Sequence, residues 1–258
     1  MQRSDISAQE LIYMASLAGY DVLPGIPDAF RGLTMEQRVE RLEQVRASLF
    51  KKGAICAEEN KITLSAWYDA IVKRCCTCEM CLTVSALRPG KRAWQWISWK
   101  KDGQYQTADA QNGQYCFSLE TPEVIRRRVE ALPAFSSSGQ NGAITVISRA
   151  LVKAKQLAAA GRKEDAVRIL RQNGAGDKEA AFLAEGLLEQ AAFLNLVLLR
   201  KHGVETSAEE HTFLGDRQTA YALSQTVENF RTCTRFEERT CDEIQRCISS
   251  LTGSFLME

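Results

Sequence analysis

The spacing of apolar residues alternates between a helical and an extended period along this chain. Leu11, Met14, Ala15 and Ala18 share one helical face behind Ser7-Ala8-Gln9-Glu10, a capping box whose serine and glutamate satisfy the first free amides. Gly19 stops that helix, and Leu23-Pro24-Gly25-Ile26-Pro27 reads as a stiff, irregular connector. Thr34 and Gln37 form a second capping box. Met35, Val39, Leu42, Val45 and Leu49 then recur near the helical period until Gly53. A third helix is predicted over residues 63–73.

The period then shortens to two. Cys76, Cys78, Met80, Leu82, Val84 and Ala86 alternate with Thr77, Glu79, Cys81, Thr83 and Ser85, which predicts a half-buried strand. Arg88-Pro89-Gly90 turns it. Trp94, Trp96 and Trp99 mark the next strand, and Lys101-Asp102-Gly103 and Asn112-Gly113 mark two further turns. Thr121 and Pro122 open a closing helix.

The same order returns later. Helices are expected at 144–160, 163–173 and 177–190, and strands at 193–200, 211–215, 219–226 and 230–237. A last helix follows the capping box Thr240-Cys241-Asp242-Glu243, with Ile244, Cys247, Ile248 and Leu251 as its stripe. Residues 62–132 and 177–251 thus look like one helix–sheet–helix phrase written twice. The expected fold is α+β: two quasi-symmetric halves with an antiparallel sheet flanked by helices. The halves are expected at 1–135 and 143–258, joined by the polar, glycine-containing linker 136–142.

Composition narrows the function classes. The 258 residues are 45% hydrophobic and 25% charged, with a net charge of +1. That balance draws the chain neither to nucleic acid nor to an anionic membrane. The first residues lead into a mixed helix rather than an apolar signal core. The longest apolar stretch, Ala191–Leu199, is too short to span a bilayer. A cytoplasmic protein with no membrane partner is expected. The nine cysteines are an odd number and read as thiols of a reducing compartment.

Candidate chemistry is sparse. Cys75-Cys76-Thr77-Cys78-Glu79-Met80-Cys81 holds two overlapping Cys-x-x-Cys spacings. On a strand, Cys75 and Cys78 face opposite sides, as do Cys78 and Cys81, so neither pair converges on a metal. Buried thiols are the simpler reading. Trp94 and Trp96 share a strand face and fit beneath covering helices, which leaves Trp99 facing outward as an interface candidate. Ser98-Trp99-Lys100-Lys101 matches Ser-x-x-Lys, but it ends a strand where that nucleophile opens a helix. No catalytic, cofactor-binding or metal-binding residues are assigned, and the chain is not expected to be an enzyme.

The element order resembles the EspG-like chaperones of bacterial type VII (ESX) secretion. Four segments carry the likeness: Ile6–Leu11 with Leu23-Pro24, Arg46–Ile55, Ile71–Arg74 with Cys78–Val84, and Ala154–Ala166. The resemblance implies two α+β halves sharing a central antiparallel sheet. It also implies a non-enzymatic, cytosolic role holding helical-hairpin export substrates soluble. Those partners would be WXG100/LXG or PE-PPE-like proteins. By the same resemblance the contact surface is a sheet hairpin with C-terminal helices. The candidates here are Trp99, Lys100, Lys101, Asp102, Gly103 and, on the last helix, Ile244 and Ile248.

Two other readings stay open. Residues 6–90 could form a winged helix-turn-helix in a DNA-binding regulator with a ligand domain, although the third helix offers only Lys73 and Arg74 as basic residues. An immunity protein or antitoxin for a secreted toxin would share the protein-binding role.

Overall fold

The structure is a computed structural model that describes residues 5–58, 61–88, 93–135, 142–185, 192–203, 205–215 and 219–257. Part of the expected linker, residues 136–141, lies outside the described residues. The elements run β1 (Ile6–Ser7), α1 (Ala8–Leu17), α2 (Met35–Lys51), β2 (Ile55–Glu58), β3 (Lys61–Leu64) and α3 (Ala66–Cys76). Four strands follow, β4 (Met80–Leu87), β5 (Trp94–Lys101), β6 (Gln104–Gln111) and β7 (Gln114–Glu120), then α4 (Pro122–Glu130). The rest is β8 (Ala143–Ile147), α5 (Ser148–Ala159), α6 (Lys163–Gln172), α7 (Asp177–Glu185), β9 (Ala192–His202), β10 (Glu205–Gly215), β11 (Ala220–Glu228), β12 (Arg231–Glu238) and α8 (Cys241–Met257).

The fold is α+β. Ten strands form one antiparallel sheet in the order β1-β7-β6-β5-β4-β9-β10-β11-β12-β8, and β2 pairs with β3 in a separate hairpin. The strand order repeats itself. A short early strand, β1 or β8, joins the last strand of each four-strand meander, β7 or β12.

By contacts the chain divides into two compact units. One comprises residues 1–83, 95–125 and 197–208; the other comprises 84–94, 126–196 and 209–258. In the first, α1, α2 and α3 bury Leu11, Met14, Val45, Leu49, Ile71 and Val72 together with Ile97, Trp99 and Phe117 of the sheet. In the second, α5, α6 and α7 bury Ala154, Ala166, Leu170 and Leu183 against Val146, Tyr221 and Phe236.

Two predicted elements shift, each for a local reason. The cysteine run is not one strand. Tyr68, Ile71, Val72, Cys75 and Cys76 are buried at helical spacing, so α3 continues through Cys76 and the strand starts only at Met80. The helix expected from 144 begins instead as the strand β8, because Ile144 and Val146 pair opposite Phe236 and Thr234. The hairpin β2–β3 was not foreseen.

Local chemistry fixes both ends of the sheet. β1 is only two residues long. At the other end the backbone amide of Ile147 donates to the carbonyl of Asn173 at 3.4 Å. Gly174, at φ +114°, lies so close to Thr145 that any side chain there would meet its carbonyl. Short or covered edge strands do not template pairing with other chains.

Candidate partner-binding surface

The predicted contact residues do not form a surface. β5 is buried on both faces: Trp96 is 1% exposed and Trp99 is 0% exposed. The expectation that Trp99 faces outward is therefore corrected. The connector Leu23–Pro27 covers that face, and the Trp99 indole Nε1–H donates to the Pro24 carbonyl at 2.8 Å. The Trp99 ring stacks on Phe117 at 6.0 Å. A proline-rich loop gives no periodic signal that it will lie on a sheet, so the pattern alone left this face open.

Lys100 is also buried, with its ammonium 5.8 Å from the centre of the Tyr105 ring. Lys101 is half-buried and donates from Nζ to the Thr77 hydroxyl at 2.5 Å. That hydroxyl donates in turn to the Lys73 carbonyl at 2.7 Å, and Lys201 Nζ donates to the Cys76 carbonyl at 2.9 Å. The Thr77 hydroxyl and Lys201 thus satisfy two of the last carbonyls of α3, and the two ammonium groups complement its dipole. Glu79 fastens the arrangement. Its amide donates to the Lys100 carbonyl at 2.9 Å, and its carbonyl accepts from the Lys201 amide at 2.8 Å.

The turn Asp102-Gly103 is exposed, with left-handed φ of 48° and 71°. On α8, Ile244 and Ile248 are 2% and 3% exposed, in one buried stripe with Leu251 and Phe255. They are core residues, so their assignment to a contact surface is corrected as well. Of the predicted set, the exposed residues are Asp102 and Gly103.

The thiols of the cysteine run are unreactive by environment. Burial pushes Cys75 and Cys81 well above the ordinary thiol range, Cys76 to about 12 and Cys78 to about 11. Only a thiolate is a good nucleophile or metal ligand, so these groups stay protonated near neutral pH. Among the described residues, no three His, Cys, Asp or Glu side chains are placed to hold a metal ion. An open concavity of about 430 Å³ lies beside β8, lined by Thr145, Asn173, Glu228, Arg231 and Cys233 among others.

Exposed apolar side chains mark two other places. The first ten residues of α2, Met35 to Gln44, are all exposed, and Met35, Val39 and Leu42 stand 76%, 53% and 37% exposed along one stripe. At the tip of the β11–β12 hairpin, Val227 is 75% exposed and Phe230 is fully exposed. Asn229 and Phe230 have φ of 49° and 61°, the geometry of a type I′ turn. The sequence pattern grouped Met35, Val39 and Leu42 with Val45 and Leu49 at the helical period and gave no role to Phe230. The charged residues all around the first half of α2 were the available signal that no described residue covers it.

No known family profile and no curated protein matches the sequence. A search of solved structures does find similar folds. One is the type VII secretion system chaperone EspG5 of Mycobacterium tuberculosis, solved in complex with the PE25-PPE41 dimer. The match covers 97% of this chain and 95% of EspG5, with a TM-score of 0.50 and 10% sequence identity. The chain shares its fold with that chaperone as a distant structural relative. The winged-helix reading fails on topology. A wing would follow the recognition helix, whereas the two-stranded hairpin β2–β3 precedes α3 and the next strand enters the ten-stranded sheet.

Proposed function

We propose that this protein is a cytoplasmic, non-enzymatic chaperone that holds a helical-hairpin type VII secretion substrate soluble before export. The observation that carries the reading is the fold likeness to EspG5 over nearly the full length of both chains. EspG5 was solved bound to a PE-PPE dimer, and the partner class proposed here is of that general kind: WXG100/LXG or PE-PPE-like. The physical logic is that the apolar end of a helical hairpin aggregates until another protein buries it. No helix among the described residues is long and apolar enough to cross a membrane.

The contact surface is reassigned within this reading. Buried Trp99, Lys100, Ile244 and Ile248 cannot be reached by a partner without unfolding. Phe230 and Val227 can, and an aromatic on a two-residue turn presents a rigid anchor at low entropic cost. The test is co-expression of the full chain with the helical-hairpin proteins encoded nearest to it. A stoichiometric complex on gel filtration, lost in Phe230→Asp, supports the reading. Separate elution of every candidate overturns it.

A further inference from the structure

Helix α2 is well formed over a stretch that no described residue covers. Thr34 and Gln37 close its capping box at 3.3 and 3.0 Å, and Gln44 bonds both Arg41 and Glu40. Only Val45 and Leu49, in its second half, are buried. The exposed half still carries Met35, Val39 and Leu42 at i, i+4 and i+7, a spacing that puts them on one side of a helix. Tertiary packing ordinarily stabilises such a stripe.

The residues beside the stripe are sorted by sign. Glu36 and Glu43 flank one side and Arg38 the other. In heptad terms Met35 and Leu42 occupy d, Val39 occupies a, Glu36 and Glu43 occupy e, and Arg38 occupies g. Among parallel coils, a β-branched residue at a with leucine at d favours two strands. In a parallel pair, a g residue meets the e residue five positions on in the partner, so each Arg38 faces Glu43 of the other copy. An antiparallel pair would set Glu36 against Glu43 and Arg38 against Arg38, which is repulsive.

We propose that the projecting half of α2 pairs in parallel with the same segment of a second copy of this chain. The pair ends before Arg46, an a position whose guanidinium lies 5.8 Å over the ring of Phe50 in the same helix. Below that point Val45 and Leu49 turn each helix into its own core. The buried stripe is centred roughly 70° around the helix from the exposed one, at about 100° per residue. A two-fold axis through the exposed stripes therefore sends the two bodies to opposite sides of the pair. The contact spans ten residues of each helix, about 15 Å. That is less than a permanent dimer buries, so the association is reversible and depends on concentration. It stands independently of the chaperone reading.

Sedimentation velocity of the full chain from about 1 to about 500 µM at low salt tests this. The expected result is a dimer that grows with concentration and weakens in about 0.5 M salt. Arg38→Glu and Glu43→Arg should each weaken it at least about fivefold, and the double reversal should restore it. Val39→Asp should abolish it. All three substitutions fall on exposed positions, and circular dichroism checks that the variants fold. A wild-type chain that stays monomeric throughout overturns the proposal. So does a dimer that survives Val39→Asp, or single reversals that the double does not rescue.

Discussion

The indole of Trp99 and the carbonyl of Pro24 are joined by a 2.8 Å hydrogen bond across 75 positions of the sequence. The bond pins the connector Leu23–Pro27 to the sheet and seals the face on which Trp99 lies. Gly25, at φ +79°, sits at the closest approach. A Cβ there would be 2.9 Å from Cys81 Sγ, Ile97 Cγ2 and Thr83 Oγ1. Gly25→Ala should therefore cost roughly 2–4 kcal/mol, from overpacking plus a left-handed backbone. Gly113→Ala, at φ +75° with open space around it, should cost only about 1 kcal/mol. Urea unfolding of the two variants separates packing from backbone strain. Equal losses would show that the connector does not pack as described.

Glu10 gives the fold a pH dependence. It is 3% exposed and accepts from the Ser7 amide at 2.7 Å, Ser48 Oγ at 2.6 Å and Lys52 Nζ at 2.8 Å. Burial alone would raise its pKa, but the hydrogen bonds from Lys52, Ser48 and the Ser7 amide outweigh burial and hold it below 4.5. A depressed carboxylate adds stability that is fully present above the unfolded value and is lost as pH falls through the folded one. Stability should fall as the solution is acidified below about pH 4.5, and Glu10→Gln should flatten that limb. Lys52→Met should cost about 2–4 kcal/mol at neutral pH by stranding the carboxylate. Thermal melts across the acid range check both outcomes; an unchanged limb in Glu10→Gln would refute the assignment.

Phe230 predicts a change of opposite sign for stability and function. A phenylalanine at φ 61° with its ring in water gains nothing that would offset the backbone cost. Phe230→Gly should raise stability by about 1 kcal/mol, since glycine adopts this geometry freely. The same change should weaken the client complex. Differential scanning calorimetry and a binding titration read the two effects on one protein, and a destabilised variant would mean the ring packs somewhere.

The thiols should divide by burial. Cys241 is exposed, whereas Cys75, Cys76, Cys78, Cys81 and Cys233 are buried. Alkylation of the native protein near about pH 8 should label Cys241 first and the buried group only after denaturation. Early labelling of Cys75 would show that α3 opens readily, and early labelling of Cys81 that β4 does.

Much of the architecture was legible in the sequence because it rests on local signals. The capping boxes at Ser7, Thr34 and Thr240 are all formed, and Asp102-Gly103 and Asn112-Gly113 turn as their residue types require. What failed depends on contacts far apart in sequence. The cysteine spacing satisfies a strand and a helix equally well, and only the burial of Tyr68, Ile71, Val72, Cys75 and Cys76 together decides it. The position of Trp99 was misread because its cover, Pro24 and Gly25, comes from an aperiodic loop. The exposed Phe230 carried no sequence signal, since a turn of Asn229-Phe230 departs from the usual Asn-Gly.

By the proposed function, this chain keeps a helical partner soluble and needs no chemistry to do so. Light scattering of a purified helical-hairpin client, diluted from denaturant with and without the chain, tests it most directly. One equivalent should suppress aggregation without nucleotide and yield a defined complex, with Phe230→Asp much less effective. Aggregation that proceeds unchanged at several equivalents, for every client encoded beside it, would rule the chaperone role out.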